Sequence, residues 1–258
     1  MIVLQLRSLT FLKSILISFI TVLIIQCGGQ SSFSNFHSKK KVTKLNLTRK
    51  GLTEIPVEIF NFKDLEILIL HDNNISTIPK EISKLTNLKK LILSRNDITS
   101  IPAEIGELQN LKFLSLKANK INSIPESVGN LKKLQTLNLN FNNLKKLPNR
   151  IVELNSIFQL FLSFNKLQSL PDSIGKLQSL RELYINNNEI LSLPESFYRL
   201  NLYQLDLFLF SPSVILSDKI CKMRSLEKLI LDQGCYSFSP RCLTIRANNN
   251  PRFSISIK

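Results

Sequence analysis

Apolar residues fall at fixed positions of a 23-residue cycle that runs through most of the chain. Leu65-x-x-Leu68-x-Leu70-x-x-Asn73-x-Ile75-x-x-Ile78-Pro79 returns as Leu88-x-x-Leu91-x-Leu93-x-x-Asn96-x-Ile98-x-x-Ile101-Pro102, and the seven prolines from Pro56 to Pro194 keep the same interval. A fixed period of this length marks a stack of like units, each burying its apolar side against the next. Within each unit, x-x-Leu-x-Leu-x-x alternates with period two, which predicts a short strand with its leucines on one side. Stacked units place these strands side by side as a parallel sheet, about 4.7–4.9 Å per step.

The cycle begins at Val42 and its lead positions are Val42, Leu65, Leu88, Leu111, Leu134, Ile157, Leu180, Leu202 and Leu226, which makes about nine units. Nine strands would form an arc of about 40 Å. The eighth unit comes one residue early and the ninth one residue late. Irregular end units are expected where a stack must face water. Asn73, Asn96, Asn119, Asn142, Asn165 and Asn188 stand where the chain leaves each strand. A carboxamide both donates and accepts, so a ladder of asparagines can satisfy the backbone of its own turn and of the next. Lys50, Phe210 and Gly234 occupy the same place at the ends, where the ladder stops. Proline then opens a short helical or 3₁₀ segment with acidic residues in its first turn, among them Glu58, Glu81, Glu104 and Glu195. Ile59, Ile82, Ile105, Val128, Ile151, Ile174 and Phe197 fill the interior from that side.

These residues resemble the leucine-rich repeat signature, in its 23-residue class, over about residues 42–234. That class occurs in many bacterial secreted and surface-anchored proteins and in eukaryotic signalling and immune proteins. The resemblance implies an α/β solenoid, a horseshoe with a parallel concave sheet and short helical or 3₁₀ convex segments. It also implies protein binding, chiefly through the concave face, and no enzymatic activity of its own.

The non-leucine strand positions would then carry the partner. Phe161, Tyr184 and Phe208 stand on neighbouring strands, and Ile67, Ile69 and Ile92 form an aliphatic patch nearer the start. Phe113 and His71 complete the candidate face. Exposed aromatic clusters are common anchors of protein interfaces, although β-branched and aromatic residues also simply suit strands. Phe141 and Phe164, just before ladder asparagines, read as filler stacked across the turn.

Outside the repeats, the N-terminus reads as a processing segment. Arg7 and Lys13 precede an uncharged run from Ile15 to Ile25, too short to span a bilayer and suited to a signal-peptide core. Cys27 follows at once, then Gly28, Gly29, Gln30, Ser31 and Ser32, which resembles a bacterial lipoprotein signal with Cys27 as the lipidated first mature residue. Gln26 departs from that pattern, which has a small residue there. Cleavage with release and a retained anchor are the alternatives. The expected organisation is a signal peptide over 1–26, a lipidated, flexible tether over 27–41, repeats over 42–234 and a cap over 235–258. In the cap, Phe253, Ile255 and Ile257 alternate as in a strand.

Charge and candidate chemistry change little. The formal net charge is +15 over 258 residues, but Lys84, Lys89, Lys112, Lys132 and Lys133 are scattered along the repeats. That favours a solvated basic shell over a specific nucleic-acid site. The two histidines, His37 and His71, have no cluster at metal-ligand spacing, and neither a phosphate-binding loop nor a Gly-x-Ser-x-Gly elbow occurs. No cofactor or metal is expected. Cys221, Cys235 and Cys242 crowd the C-terminal end, and Cys235 with Cys242 is the preferred disulfide in an exported chain. The expectation is a non-enzymatic surface lipoprotein of the outer membrane or cell surface, binding a host or extracellular-matrix protein. A secreted binding decoy and an envelope component that binds glycan or membrane are the rivals.

Overall fold

A computed structural model describes residues 41–208, 216–237 and 239–257. The expected Cys27 anchor, the signal peptide and Phe210 lie outside the described residues. From residue 41 on, short strands alternate with 3₁₀ segments in one parallel sheet whose order follows the chain. The strands are β1 (Lys44–Asn46), β2 (Ile67–Ile69), β3 (Lys90–Ile92), β4 (Phe113–Ser115), β5 (Thr136–Asn138), β6 (Gln159–Phe161), β7 (Glu182–Tyr184), β8 (Gln204–Asp206), β9 (Lys228–Leu231) and β10 (Ser254–Ile257). This is the solenoid that the period predicts, with a tenth strand supplied by the segment read as a cap.

Register is set by the leucines. Leu68 pairs with Leu91, Leu91 with Leu114 and Leu114 with Leu137, so one buried column runs through the coils. A slip of one residue would turn that column to solvent. The eighth coil, which begins one residue early, keeps the same match, Leu183 to Leu205 and Leu205 to Leu229. Each fully buried leucine contributes about 1.5–3 kcal/mol, so the stack is held mainly by its interior columns.

Across the interior, most 3₁₀ segments start at prolines held extended, for example Pro102 at φ −70° before Ala103–Glu107, whereas Ser217 precedes Asp218–Lys222. The proline carbonyl accepts the first turn's N–H, as from Ile105 N to Pro102 O at 3.1 Å. Ile59, Ile82, Ile105, Val128, Ile151, Ile174 and Phe197 are fully buried beneath them. Gly106, Gly129 and Gly175 permit close stacking of these segments, because a Cβ at each would overlap the backbone carbonyl of Ser127, Arg150 and Ser196.

The asparagine ladder is buried and fully used. Asn119 accepts from Ile98 N at 3.0 Å and donates through Nδ2 to Leu93 O at 3.0 Å and Leu116 O at 2.9 Å. The same bonds recur at Asn96 and Asn142. Among the described residues no buried side-chain polar atom lacks a partner. The residue before each ladder asparagine (Asp72, Arg95, Ala118, Phe141, Phe164 and Asn187), and Arg49 at the same place in the first coil, has φ between 54° and 58°.

At the C-terminal end, α1 (Gln233–Ser237) and α2 (Arg241–Asn249) replace a regular coil before β10 joins β9 in parallel. Cys242 is bonded to Cys221 and not, as expected, to Cys235. Cys221 lies in the 3₁₀ segment Asp218–Lys222 and Cys242 near the start of α2, with a Cα–Cα distance of 6.0 Å. That distance lies in the ordinary disulfide range. Residues about one coil apart in sequence meet in a stack, and this outweighs the nearness of Cys235 in the chain.

Candidate functional site

The solvent side of the sheet is built from the positions between and beside the buried leucines. On β6 and β7, Phe161 and Tyr184 are register partners and their rings stack at 4.7 Å with an interplanar angle of 10°. Both are half-buried. Beside them runs a polar chain: Thr136 Oγ1 donates to Gln159 Oε1 at 3.1 Å, and Gln159 Nε2 donates to Glu182 Oε2 at 3.0 Å. Glu182 Oε2 also accepts from the Tyr184 hydroxyl at 3.1 Å. Burial, then the charge of Glu182 and its bond to the hydroxyl, push the Tyr184 phenol up to about 12. The ring is therefore a fixed, neutral, amphipathic contact point whose hydroxyl is anchored from below.

Phe208 does not extend the stack. It falls in the flanking column, where its backbone N–H donates to Asp206 Oδ1 at 3.2 Å, and the buried Asp206 takes the place beside Tyr184. Ile69 and Ile92 are register partners, with Ile67 in the adjoining column, and all three are half-buried. Phe113 lies across from Lys90, whose Nζ is 4.7 Å from the ring centre. His71 is half-buried, and among the described residues no group of side chains is arranged to hold a metal ion. Ser115 and Asn138 separate the aliphatic and aromatic patches within the central column.

Both margins of the sheet carry aromatic surface that the strand pattern does not reveal. On the side entering the strands, Phe158 and Tyr203 are exposed, and Lys228 Nζ lies 5.6 Å from the Tyr203 ring. The signal was available, since that column otherwise holds Glu66, Lys89, Lys112, Gln135, Arg181 and Glu227. On the side leaving the strands, Phe141 and Phe164 stack at 4.2 Å and 9°, as expected, yet remain 43% and 42% exposed. Both occupy the left-handed conformation, which costs a non-glycine residue about 1–2 kcal/mol.

Family models agree with this architecture. A leucine-rich repeat model matches residues 40–98, a leucine-rich repeat region model residues 100–167 and a further leucine-rich repeat model residues 179–200. No curated protein matches the chain. Among solved structures, a leucine-rich repeat protein of Leptospira interrogans is 29% identical with a TM-score of 0.64, covering 78% of this chain and 64% of its own. The PEPR1–AtPEP1 complex is 27% identical with a TM-score of 0.67, covering 86% of this chain and 36% of the other. The Arabidopsis receptor kinase HAESA, solved with the peptide hormone IDA and the co-receptor SERK1, shares the fold at 24% identity and a TM-score of 0.61, covering 76% of this chain and 39% of the other. This chain thus spans less than two thirds of each of these proteins. Matches in successive segments, on coils that each repeat one strand and one 3₁₀ turn and share the asparagine ladder from Asn73 to Asn188, make the chain a member of the leucine-rich repeat proteins.

Proposed function

We propose that this chain is a non-enzymatic recognition module that binds a protein partner across the solvent face of its sheet. The Phe161–Tyr184 stack carries the reading. Two aromatic rings, pre-stacked and with the Tyr184 hydroxyl bonded to Glu182, lose little freedom when a partner covers them, and such rings are common interface anchors. Leucine-rich repeat folds commonly serve as protein-binding modules, and the HAESA receptor kinase was solved in complex with a peptide hormone.

The proposed setting is a bacterial surface. The run from Ile15 to Ile25 followed by Cys27 supports export and lipid attachment, and the Leptospira protein supports a bacterial comparison. Among the described residues no helix is long and apolar enough to cross a membrane. A host or extracellular-matrix protein is the proposed class of partner.

Two experiments test these statements separately. Palmitate labelling should disappear in Cys27→Ala, and labelling that never occurs refutes the anchor while leaving the binding face untouched. Capture of partner proteins should fall in Phe161→Ala and Tyr184→Ala, each costing about 2 kcal/mol of binding as interface anchors do. Capture that is insensitive to both substitutions but lost at high salt points instead to glycan or membrane binding through the basic shell.

A further inference from the structure

We infer that the margin where the chain leaves the strands, centred on Phe141 and Phe164, is a second binding surface for an acidic protein segment bearing an aromatic or aliphatic anchor. The position before each ladder asparagine turns with positive φ, and asparagine stands there at residue 187. Two adjacent coils instead place phenylalanine there, at φ 58° and 57°. Burial does not offset the strain, because each ring keeps more than two fifths of its surface exposed. Arg95 and Ala118 show that other residues also bear this turn, but the two phenylalanines use it to hold an aromatic stack in water, which the turn itself does not require.

Charge around the stack identifies the occupant. Lys117 Nζ lies 5.4 Å from the centre of the Phe141 ring. Lys145, Lys146 and Lys166 are exposed on the same margin, and among the described residues these four cations form no ion pair. The segments 116–124, 139–147 and 162–170, which build this margin, contain no Asp or Glu. Lys120 is the exception to the free cations, paired with Asp97 at 2.7 Å. Cations spread over three consecutive coils suit an extended acidic segment running along the array. The single stack offers that segment one apolar anchor point.

The surface is distinct from the Phe161–Tyr184 face, so the two can be lost independently. The test uses the full chain with a fluorescent glutamate–tyrosine copolymer, and poly-glutamate for comparison. The doubly substituted Phe141→Asn/Phe164→Asn chain should bind the copolymer about tenfold more weakly, with poly-glutamate binding unchanged. It should melt no earlier than the parent, since asparagine tolerates the left-handed turn. Lys145→Glu/Lys146→Glu should weaken both polymers, and Phe161→Ala/Tyr184→Ala should weaken neither. Equal affinity for the two polymers, or copolymer binding that survives the asparagine substitutions, overturns the proposal. So does preferential, Phe141- and Phe164-dependent binding to vesicles of phosphatidylcholine and phosphatidylglycerol, or to heparin.

Discussion

Replacing Asn119 by alanine removes one rung from the middle of the ladder, and the structure sets the size of the effect. Ile98 N has the Asn119 carboxamide oxygen as its partner and no other, so the substitution leaves that buried donor orphaned. The two carbonyls are less affected. Leu93 O also accepts from Asn96, and Leu116 O from Asn142, each at 3.0 Å, so each keeps one donor. An orphaned buried donor costs about 1–3 kcal/mol, and each of the two lost shared bonds about 0.5–1 kcal/mol net. The expected destabilisation is therefore about 2–5 kcal/mol. Asn122, exposed and making no side-chain bond, is the control, and Asn122→Ala should change stability by no more than about 0.5 kcal/mol. Urea unfolding of the full chain, followed by far-ultraviolet circular dichroism, reads the difference. Because each coil contacts chiefly its neighbours, a weakened central rung should also broaden the transition or split it. Equal midpoints for the Asn119 and Asn122 variants would refute the ladder as a source of stability.

Other consequences follow from the same packing. Gly129→Ala drives a methyl into the Arg150 carbonyl on the next coil, and should destabilise the chain by about 1–3 kcal/mol in the same urea assay. Reduction of Cys221–Cys242, which closes a sequence separation of 21 residues, should lower stability by about 3 kcal/mol, read as melting with and without reductant. Non-reducing peptide mapping that joins Cys235 to Cys242 instead would contradict the fold of the C-terminal end. Glu153, bound by Arg150 at 2.9 and 3.1 Å and by Lys132 at 3.0 Å, has its carboxyl held down to about 2 from the usual 4.5. A depressed folded value means that its contribution is complete above about pH 4.5 and is lost as pH falls toward about 2. A nuclear magnetic resonance titration placing Glu153 near 4.5 would show that the surface cluster does not form.

Much of this protein is legible in one dimension because a stack repeats a single solution. The leucine interval fixes which side of each strand is buried, and the asparagine interval fixes where backbone groups find partners. The Phe161–Tyr184 pair was legible for the same reason, since equal offsets in neighbouring repeats become neighbours in space. Phe208 shows the limit: it lies one coil on, but two positions along the strand register from the stacked rings, and Asp206 stands beside Tyr184 in its stead. The Phe141–Phe164 pair was legible as a contact but not as an exposed one. Strand alternation says nothing of the turn beyond it, and the left-handed backbone there depends on the whole coil closing.

The repeat determined on its own that successive coils lie in register, with leucine and asparagine columns inside and a row of free positions facing water. It could do so because buried apolar area and paired backbone groups scale with the number of matching coils, and no alternative register satisfies both. Tertiary structure alone decided the Cys221–Cys242 pairing, the recruitment of Ser254–Ile257 as a tenth strand and the orientation of the marginal aromatics. Those features arise where the period ends or the chain turns, and there the outcome depends on which surfaces the neighbouring coil presents.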